Sequence, residues 1–544
     1  MKVLVATIEW GFGSAWVSNS ADGTVSRITG KRVVKTIKVG VEPNGLAAIG
    51  SYLWVTGFGG SLYVSQETNV VTRVDARTLK VLGSVKVARN PLGSAIVSNE
   101  LWVPCIDADV VAIVDPKTLK VVKTMPGGPG PIVVLPVAWP RVGLAHDRHG
   151  DLAFVDTRVV ELTGYRDRFP ILASTTYLIN HSLGAMPAEA ERRLQQFAGE
   201  WAARGARAWG EGWWSSVFTT GDLIGGIIGA PPGSTVMHQN VTVAEAIVLS
   251  CFDLKPPRNR IVFEEGLFPS VRYVQQAWAR FGAEVVVCED AEAVIDAIDE
   301  RTLLVPVSHV LYKSAEIQPI ERIVERAHAA GAHVCLDAYQ SAGAVPLDVT
   351  ALGIAFCVGG SVKWLCGGPG AGWLYVRPDL AEQLEPAFAG WQGHARPFAF
   401  ETEMEPAPGA ARFLTGTPNV AANYAASAGY EIIAEIGVDR IRENSMRQTA
   451  LLVELVDAAG FELTSPRDPA IRGGSVVFRV PDFQAVHAEL AAREIICDTR
   501  PDAGIRFGPH FFTTDDELRF AVEQVQDILA SGAHLERTHA AAGY

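Results

Sequence analysis

The sequence predicts a chain of two textures. An all-β stretch of short repeats comes first. An α/β region follows, with a mostly parallel sheet, flanking helices and a smaller C-terminal α+β domain. Three observations predict this. Motifs rich in Val, Thr and Gly recur at spacings of 40 and 46 residues before residue 125. From Tyr165 onward, short apolar runs alternate with helical patterns. Between the two lies Pro126-Gly127-Gly128-Pro129-Gly130-Pro131, whose composition suits a connection.

The chain has 544 residues, 48% hydrophobic and 20% charged. At roughly 100–200 residues per domain, that length holds about two to four domains. The apolar content excludes a mainly disordered chain. A formal net charge of −13 argues against a nucleic-acid partner, which is held by Lys and Arg neutralising phosphates. No apolar run reaches the roughly 18 residues of a membrane span, and Glu9 interrupts the apolar start. No membrane partner and a cytoplasmic location are expected. The seven cysteines are scattered, with no Cys-x-x-Cys. They read as free thiols of a reducing compartment rather than a disulfide or zinc framework. His146, Asp147 and His149 read as solvated residues, and no metal site is expected.

The elements follow in order. Leu53-Trp54-Val55 returns as Leu101-Trp102-Val103. Val74-Asp75-Ala76-Arg77-Thr78-Leu79-Lys80-Val81 returns as Val114-Asp115-Pro116-Lys117-Thr118-Leu119-Lys120-Val121. Short β-rich runs at a period of about 40–47 residues are the signature of propeller blades. Residues 1–130 resemble YVTN-type β-propeller repeats and hold about three blades, fewer than the four to eight or so that close a ring. An open strand edge is therefore expected, to be paired or covered. Residues 131–164 read as a linker. Residues 165–449 read as a large domain with an N-terminal arm, its helical patterns at 187–208, 270–282, 316–331 and 421–458. Its apolar runs, at 261–263, 284–288, 303–307, 333–336, 355–358 and 373–376, alternate with helices as a parallel sheet requires. Residues 450–544 form the small domain, from Ser475 to Val480, Glu494 to Cys497 and a closing helix near 515–531.

The chemistry lies in 332–376. Val334-Cys335-Leu336-Asp337 is an apolar strand ending in an acid. Lys363 follows 26 residues later, inside Gly359-Gly360-Ser361-Val362-Lys363-Trp364-Leu365. The turn Gly367-Gly368-Pro369-Gly370 and a further strand, Gly372 to Val376, come next. An acid at a strand end and a Lys after the next strand are what pyridoxal 5′-phosphate requires. The amine holds the cofactor aldehyde as a Schiff base. The carboxylate keeps the pyridine nitrogen protonated, so the ring accepts electrons from the substrate α-carbon.

In this setting residues 165–535 resemble the class V aminotransferases, fold-type I pyridoxal-phosphate enzymes, and among them kynureninase most. The likeness is carried by Tyr165-Arg166-Asp167-Arg168-Phe169-Pro170, Asn180-His181-Ser182-Leu183-Gly184, Phe268-Pro269-Ser270, Gly390-Trp391-Gln392-Gly393-His394-Ala395-Arg396-Pro397-Phe398, Gly416-Thr417-Pro418 and Ile505-Arg506-Phe507-Gly508-Pro509-His510-Phe511. It implies that Lys363 carries the cofactor and shuttles the α-proton. Asp337 pairs with the ring nitrogen, and Gln340 contacts the ring's phenolic oxygen. The phosphate falls to Thr242 and the Val241 amide at a helix start, with Ser308 and Ser361 as further donors. Phe268 stacks on the ring. Thr417 reaches the phosphate of a neighbouring subunit, which makes a homodimer the expected assembly. Arg506 grips the α-carboxylate of an amino acid substrate, and Asn180, Trp391 and His394 belong to the substrate side.

Three positions depart from the kynureninase pattern. Val362 stands where that enzyme has Tyr before the lysine, Gln340 where it has His, and Val271 where it has Asp. The first removes a proton donor. A cysteine desulfurase is also less well matched, because Phe511 and not Cys follows His510. Three readings stand: kynureninase-like cleavage of a Cα–Cβ substituent, hydrolase or lyase; another class V reaction, by a transaminase, epimerase or C–S lyase; or a propeller-type binding protein with an inactive enzyme half. The presence of Asp337, Gln340 and Lys363 together argues against the last.

Overall fold

The structure, a computed structural model, describes residues 162–536 continuously. Ahead of them it describes 5–30, 32–39, 43–49, 52–57, 69–97, 100–108, 110–126, 131–136, 141–146 and 152–156. The chain divides into two compact units, 1–161 and 162–544.

In the first unit the repeats are antiparallel four-stranded sheets, each joining strands in chain order. One runs from Val5–Gly11 to Arg32–Lys38, the next from Pro43–Ile49 to Val81–Lys86, the third from Ala95–Val97 to Lys120–Pro126. The first strands of consecutive sheets contact one another in turn. The recurring Trp is the core residue of each second strand: Trp16, Trp54 and Trp102 are buried. The recurring Asp makes the turn from third to fourth strand in two of the sheets. Asp75 accepts the amides of Arg77 and Thr78 at 2.9 and 2.6 Å, and Asp115 those of Lys117 and Thr118 at 2.7 and 3.4 Å. Such Asx turns compete well with continued strand.

Residues 131–164 depart from the linker reading. Pro131–Pro136, Arg141–His146 and Leu152–Asp156 pair as a fourth, three-stranded antiparallel sheet, and the unit boundary falls at 161/162. The Pro and Gly content marks strand ends, while Ile132 to Leu135 and Leu152 to Val155 supply strands. His146 ends one of them; Asp147 and His149 lie outside the described residues.

The second unit is built on a seven-stranded sheet: β1 (Thr235–His238), β2 (Arg260–Glu264), β3 (Glu284–Cys288), β4 (Thr302–Ser308), β5 (His333–Asp337), β6 (Phe356–Gly360) and β7 (Gly372–Val376). The order is β1-β7-β6-β5-β4-β2-β3, with only β7 antiparallel to its neighbours. The strands are almost wholly apolar because both faces are covered by helices. The crossover helices Pro269–Ala277 and Ile320–Ala330 match the sequence patterns. The pattern at 421–458 is two helices, Val420–Ile436 and Val438–Ala458, broken at Gly437, whose φ is 86°. The small domain has Glu462–Leu463, Val476–Arg479, Gly504–Phe507 and Asp498–Arg500 side by side in one sheet, and Asp515–Ser531 closes it behind a Thr514–Glu517 capping box. The arm before the large domain is tied into it: Thr176–Tyr177 pairs with Ile495–Ile496, and Leu178 is buried among small-domain side chains. Among the described residues no helix is long and apolar enough to cross a membrane.

Candidate active site

A parallel sheet exposes its functional edge at the carboxyl ends of its strands. The register of β4 on β5 sets Ser308 beside Asp337 at that edge, and β6 places Val358 on the other side of Asp337. A cavity of about 570 Å³ opens there, with Asp337, Ser308 and Lys363 in its wall. Asp337 is 5% exposed. One of its oxygens accepts the Tyr339 amide at 2.9 Å and the other the Ser308 hydroxyl at 3.1 Å, so the carboxylate is fixed in orientation. Burial pushes its carboxyl above its ordinary value, and the Tyr339 amide, Lys363 and Ser308 pull it back. Burial pushes the Lys363 amine down to about 7, against the pull of Asp337. Its Nζ lies 4.4 Å from the centre of the Tyr339 ring and 5.4 Å from that of Phe268. A lysine held this way is largely neutral at pH 7.5, hence a nucleophile.

A second wall comes from the helix Val241–Leu249. Asn240 caps it by accepting the Val243 amide at 3.0 Å. The amides of Val241 and Thr242 belong to the first turn, which has no intrahelical partners, and both residues line the cavity. That arrangement attracts an anion. Deeper in the same helix, Glu245 is buried and shares a hydrogen bond with Gln275. Burial, reinforced by Asp337, pushes its carboxyl well up.

The third wall belongs to the small domain. Arg506, 2% exposed, donates to both oxygens of Asp498 at 2.8 and 2.6 Å and to the Tyr312 carbonyl. Those bonds use three of its five N–H groups; two remain for a ligand. Asp498 also accepts from His181 at 2.8 Å and pairs with Arg500 at 3.0 Å. Against burial, which raises it, His181 and Arg506 hold its carboxyl well below the usual range, and burial pushes His181 down to about 4. With neutral His181, the group Arg500–Asp498–Arg506 carries one net positive charge. That balances one carboxylate.

Residues 177–512 match the family model described as aminotransferase class V. The chain belongs to the class V aminotransferase family. It is kynureninase-like: the kynureninase of Pseudomonas fluorescens is 32% identical over 384 residues, covering 68% of this chain and 92% of that one. The kynureninase of Burkholderia pseudomallei strain K96243 is 32% identical over 394 residues, covering 68% and 93%. Among solved structures, the apo cysteine desulfurase of Thermococcus onnurineus NA1 superposes with a TM-score of 0.61 at 20% identity, covering 68% of this chain and 98% of that one. A cystine C–S lyase in complex with cysteine persulfide gives 0.60 at 22%, covering 66% and 99%. At that identity these two show the fold.

The cofactor of this class V enzyme is pyridoxal 5′-phosphate. The residues present fit it: a desolvated amine beside a fixed buried acid, an anion-seeking helix start and an aromatic side chain, all facing one cavity. Of the sequence-derived residues, Val241, Thr242, Phe268, Ser308, Asp337 and Gln340 line it, with Lys363 and Arg506. Ser308 departs from its expected part, because its hydroxyl is given to Asp337 and not turned to a phosphate. Gln340 spends one N–H on the His181 carbonyl at 3.0 Å and keeps the other. Ser361 departs more fully. Its hydroxyl is buried between the Ala371 carbonyl and the Tyr430 hydroxyl, 2.5 Å from each, outside the cavity wall. Asn180 is also a framework residue, fully buried, donating to the Gly508 carbonyl at 2.9 Å.

Trp391, His394 and Thr417 lie off the cavity of this one chain. Trp391 packs in an aromatic cluster with Trp214 and Phe398. His394 accepts the Arg396 amide at 2.8 Å and bonds the Glu403 carbonyl, and Thr417 is exposed. Sequence reasoning missed Asp498, His181, Arg500, Tyr312 and Tyr339. An isolated acid in a small-domain strand gives no signal of its own; its partners are 8 and 317 residues away. Tyr339 sits two residues after Asp337 and was within reach of the motif.

Proposed function

We propose that the protein is a pyridoxal-phosphate enzyme that cleaves a substituent at the Cα–Cβ unit of an α-amino acid, in the manner of the kynureninases it resembles. The observation that carries this is the buried Asp337–Lys363 pair facing, across one cavity, an arginine with two open N–H groups. When bound, the cofactor supplies an electron sink for electrons released at the substrate α-carbon. Lys363 is the nucleophile that holds it and moves the proton at Cα. Asp337, fixed by Tyr339 and Ser308, holds positive charge at the ring nitrogen. The Val241 and Thr242 amides receive the phosphate, and Phe268 covers the ring. Arg506, oriented by Asp498, fixes the α-carboxylate.

The substitutions at Val362 and Gln340 support a second reading, another class V reaction such as transamination or C–S lysis. A homodimer is part of the proposal. Trp201, Phe398 and Phe400 are 63, 58 and 76% exposed, and Thr417 lies at the surface in the same chain region as the two phenylalanines, as a shared site requires. Seven free cysteines accord with a cytoplasmic location. The deciding experiment incubates cofactor-loaded protein with L-kynurenine, with and without a keto acid. An aromatic acid plus alanine without the keto acid supports the first reading. Turnover only with the keto acid supports transamination. A protein with no cofactor absorbance at about 410–430 nm overturns both.

A further inference from the structure

Tyr339 lines the cavity, and the function proposed above gives its side chain no part. Its placement is tightly set. Its amide is bonded to Asp337, its ring face lies 4.4 Å from Lys363 Nζ, and its hydroxyl end passes over Gly360. A Cβ at 360 would stand 2.6 Å from Tyr339 Oη, Cζ and Cε2, so only glycine leaves room for this ring. Gly360 is three residues before Lys363 and two before Val362. The phenol thus reaches the same short segment that carries the amine. Val362 itself lines the cavity but has no proton to give.

We propose that Tyr339 is the proton donor to the substrate β-carbon, in place of the tyrosine that kynureninases carry at the position of Val362. The inference rests on the Cα–Cβ cleavage reading. In hydrolytic cleavage, water gives its hydroxyl to the acyl carbon Cγ, and the Cβ–Cγ bond breaks with its electron pair left on Cβ. The Tyr339 Oη–H bond then breaks as a Cβ–H bond forms. The phenolate takes up the proton released by the attacking water, so no oxidant, reductant or further reactant is needed.

The test uses L-alanine, the amino acid left whenever Cβ loses its substituent and gains a proton. Wild-type protein, Tyr339→Phe, and Tyr339→Phe combined with Val362→Tyr are loaded with pyridoxal 5′-phosphate in D₂O. Hydrogen exchange at Cα and Cβ of alanine is followed by NMR. The wild type is expected to exchange both. Tyr339→Phe keeps cofactor absorbance and Cα exchange but slows Cβ exchange about 10²–10⁴-fold, the usual range for a lost general acid, and Val362→Tyr restores part of it. Cβ exchange at the wild-type rate in Tyr339→Phe overturns the role of Tyr339 and leaves the cofactor reading standing. A wild type that exchanges Cα alone also overturns it. A wild type that takes up no cofactor overturns the reading beneath it.

Discussion

The two units of this chain use strands in opposite ways. In the first, neighbours in a sheet are neighbours in sequence, a buried Trp recurs in three of the sheets and an Asp turn in two. Sheet pairing there is between strands adjacent in the chain. In the second, β4, β5 and β6 lie side by side yet are far apart in sequence, with the helix Ile320–Ala330 between β4 and β5 and the turns of residues 338–355 between β5 and β6, and their register delivers Ser308, Asp337 and Lys363 to one edge once only. Catalysis needs different groups converging on one point. Long-range parallel pairing supplies that, and a tandem of similar sheets does not. The comparison predicts that single substitutions matter at the edge of the second sheet and that loss of the whole first unit leaves the chemistry alone.

The largest expected effect is at Lys363. Lys363→Ala is expected to bind no cofactor reducibly: borohydride followed by mass spectrometry should show no adduct. A labelled peptide from any other lysine would break the assignment. Asp337→Asn should keep the cofactor and lose about 10²–10⁴ in kcat, the scale seen when a charge-stabilising group is removed. Near-normal turnover would give the acid a merely structural part.

Next is the small-domain wall. Asp498→Ala leaves Arg506 buried without its carboxylate, which typically costs about 3–5 kcal/mol. The thermal midpoint of the apoprotein should fall, and substrate KM should rise more than kcat falls. An unchanged midpoint would show that Arg506 does not depend on this pair.

The pH dependence is smaller. Burial leaves the Lys363 amine neutral above about 7, so cofactor uptake by the apoprotein should be flat from pH 7.5 to 9. Below pH 7 protonation removes the nucleophile, and the rate should fall about tenfold per unit. A rate still climbing to pH 10 would mean an ordinary, solvated lysine.

These residues also mark how far the sequence could be read. Alternating apolar runs located six strands of the large sheet to within a residue or two, because strands covered on both faces are continuous Val, Leu and Ile. The strand Thr235–His238 escaped, being four residues long at the sheet's edge. The break at Gly437 escaped because the helical pattern continues across it. The sheet in 131–156 was masked by its own Pro and Gly. In the site, the cofactor side was legible since its motifs are contiguous. Ser361 was misjudged because its hydroxyl donates to the Ala371 carbonyl and meets the hydroxyl of Tyr430, 69 residues away. Asp498 was invisible for the same reason.

The smallest expected effect is the sharpest test of the comparison. The unit 162–544 has its own large and small hydrophobic cores, and among the described residues the walls of its cavity come from residues 181–506. Deleting residues 1–161 should therefore leave a yellow protein with unaltered cofactor affinity and turnover. Its mass by light scattering should be that of two chains, because Thr417 of one copy is proposed to complete the phosphate site of the other. If the truncated protein is a dimer but inactive, the repeat unit takes part in the chemistry and the contrast between the units fails. If it is a fully active monomer, the contrast stands and the shared site does not. Thr417→Val separates the two further: in a shared site it weakens cofactor binding in the full chain and in the truncated protein alike.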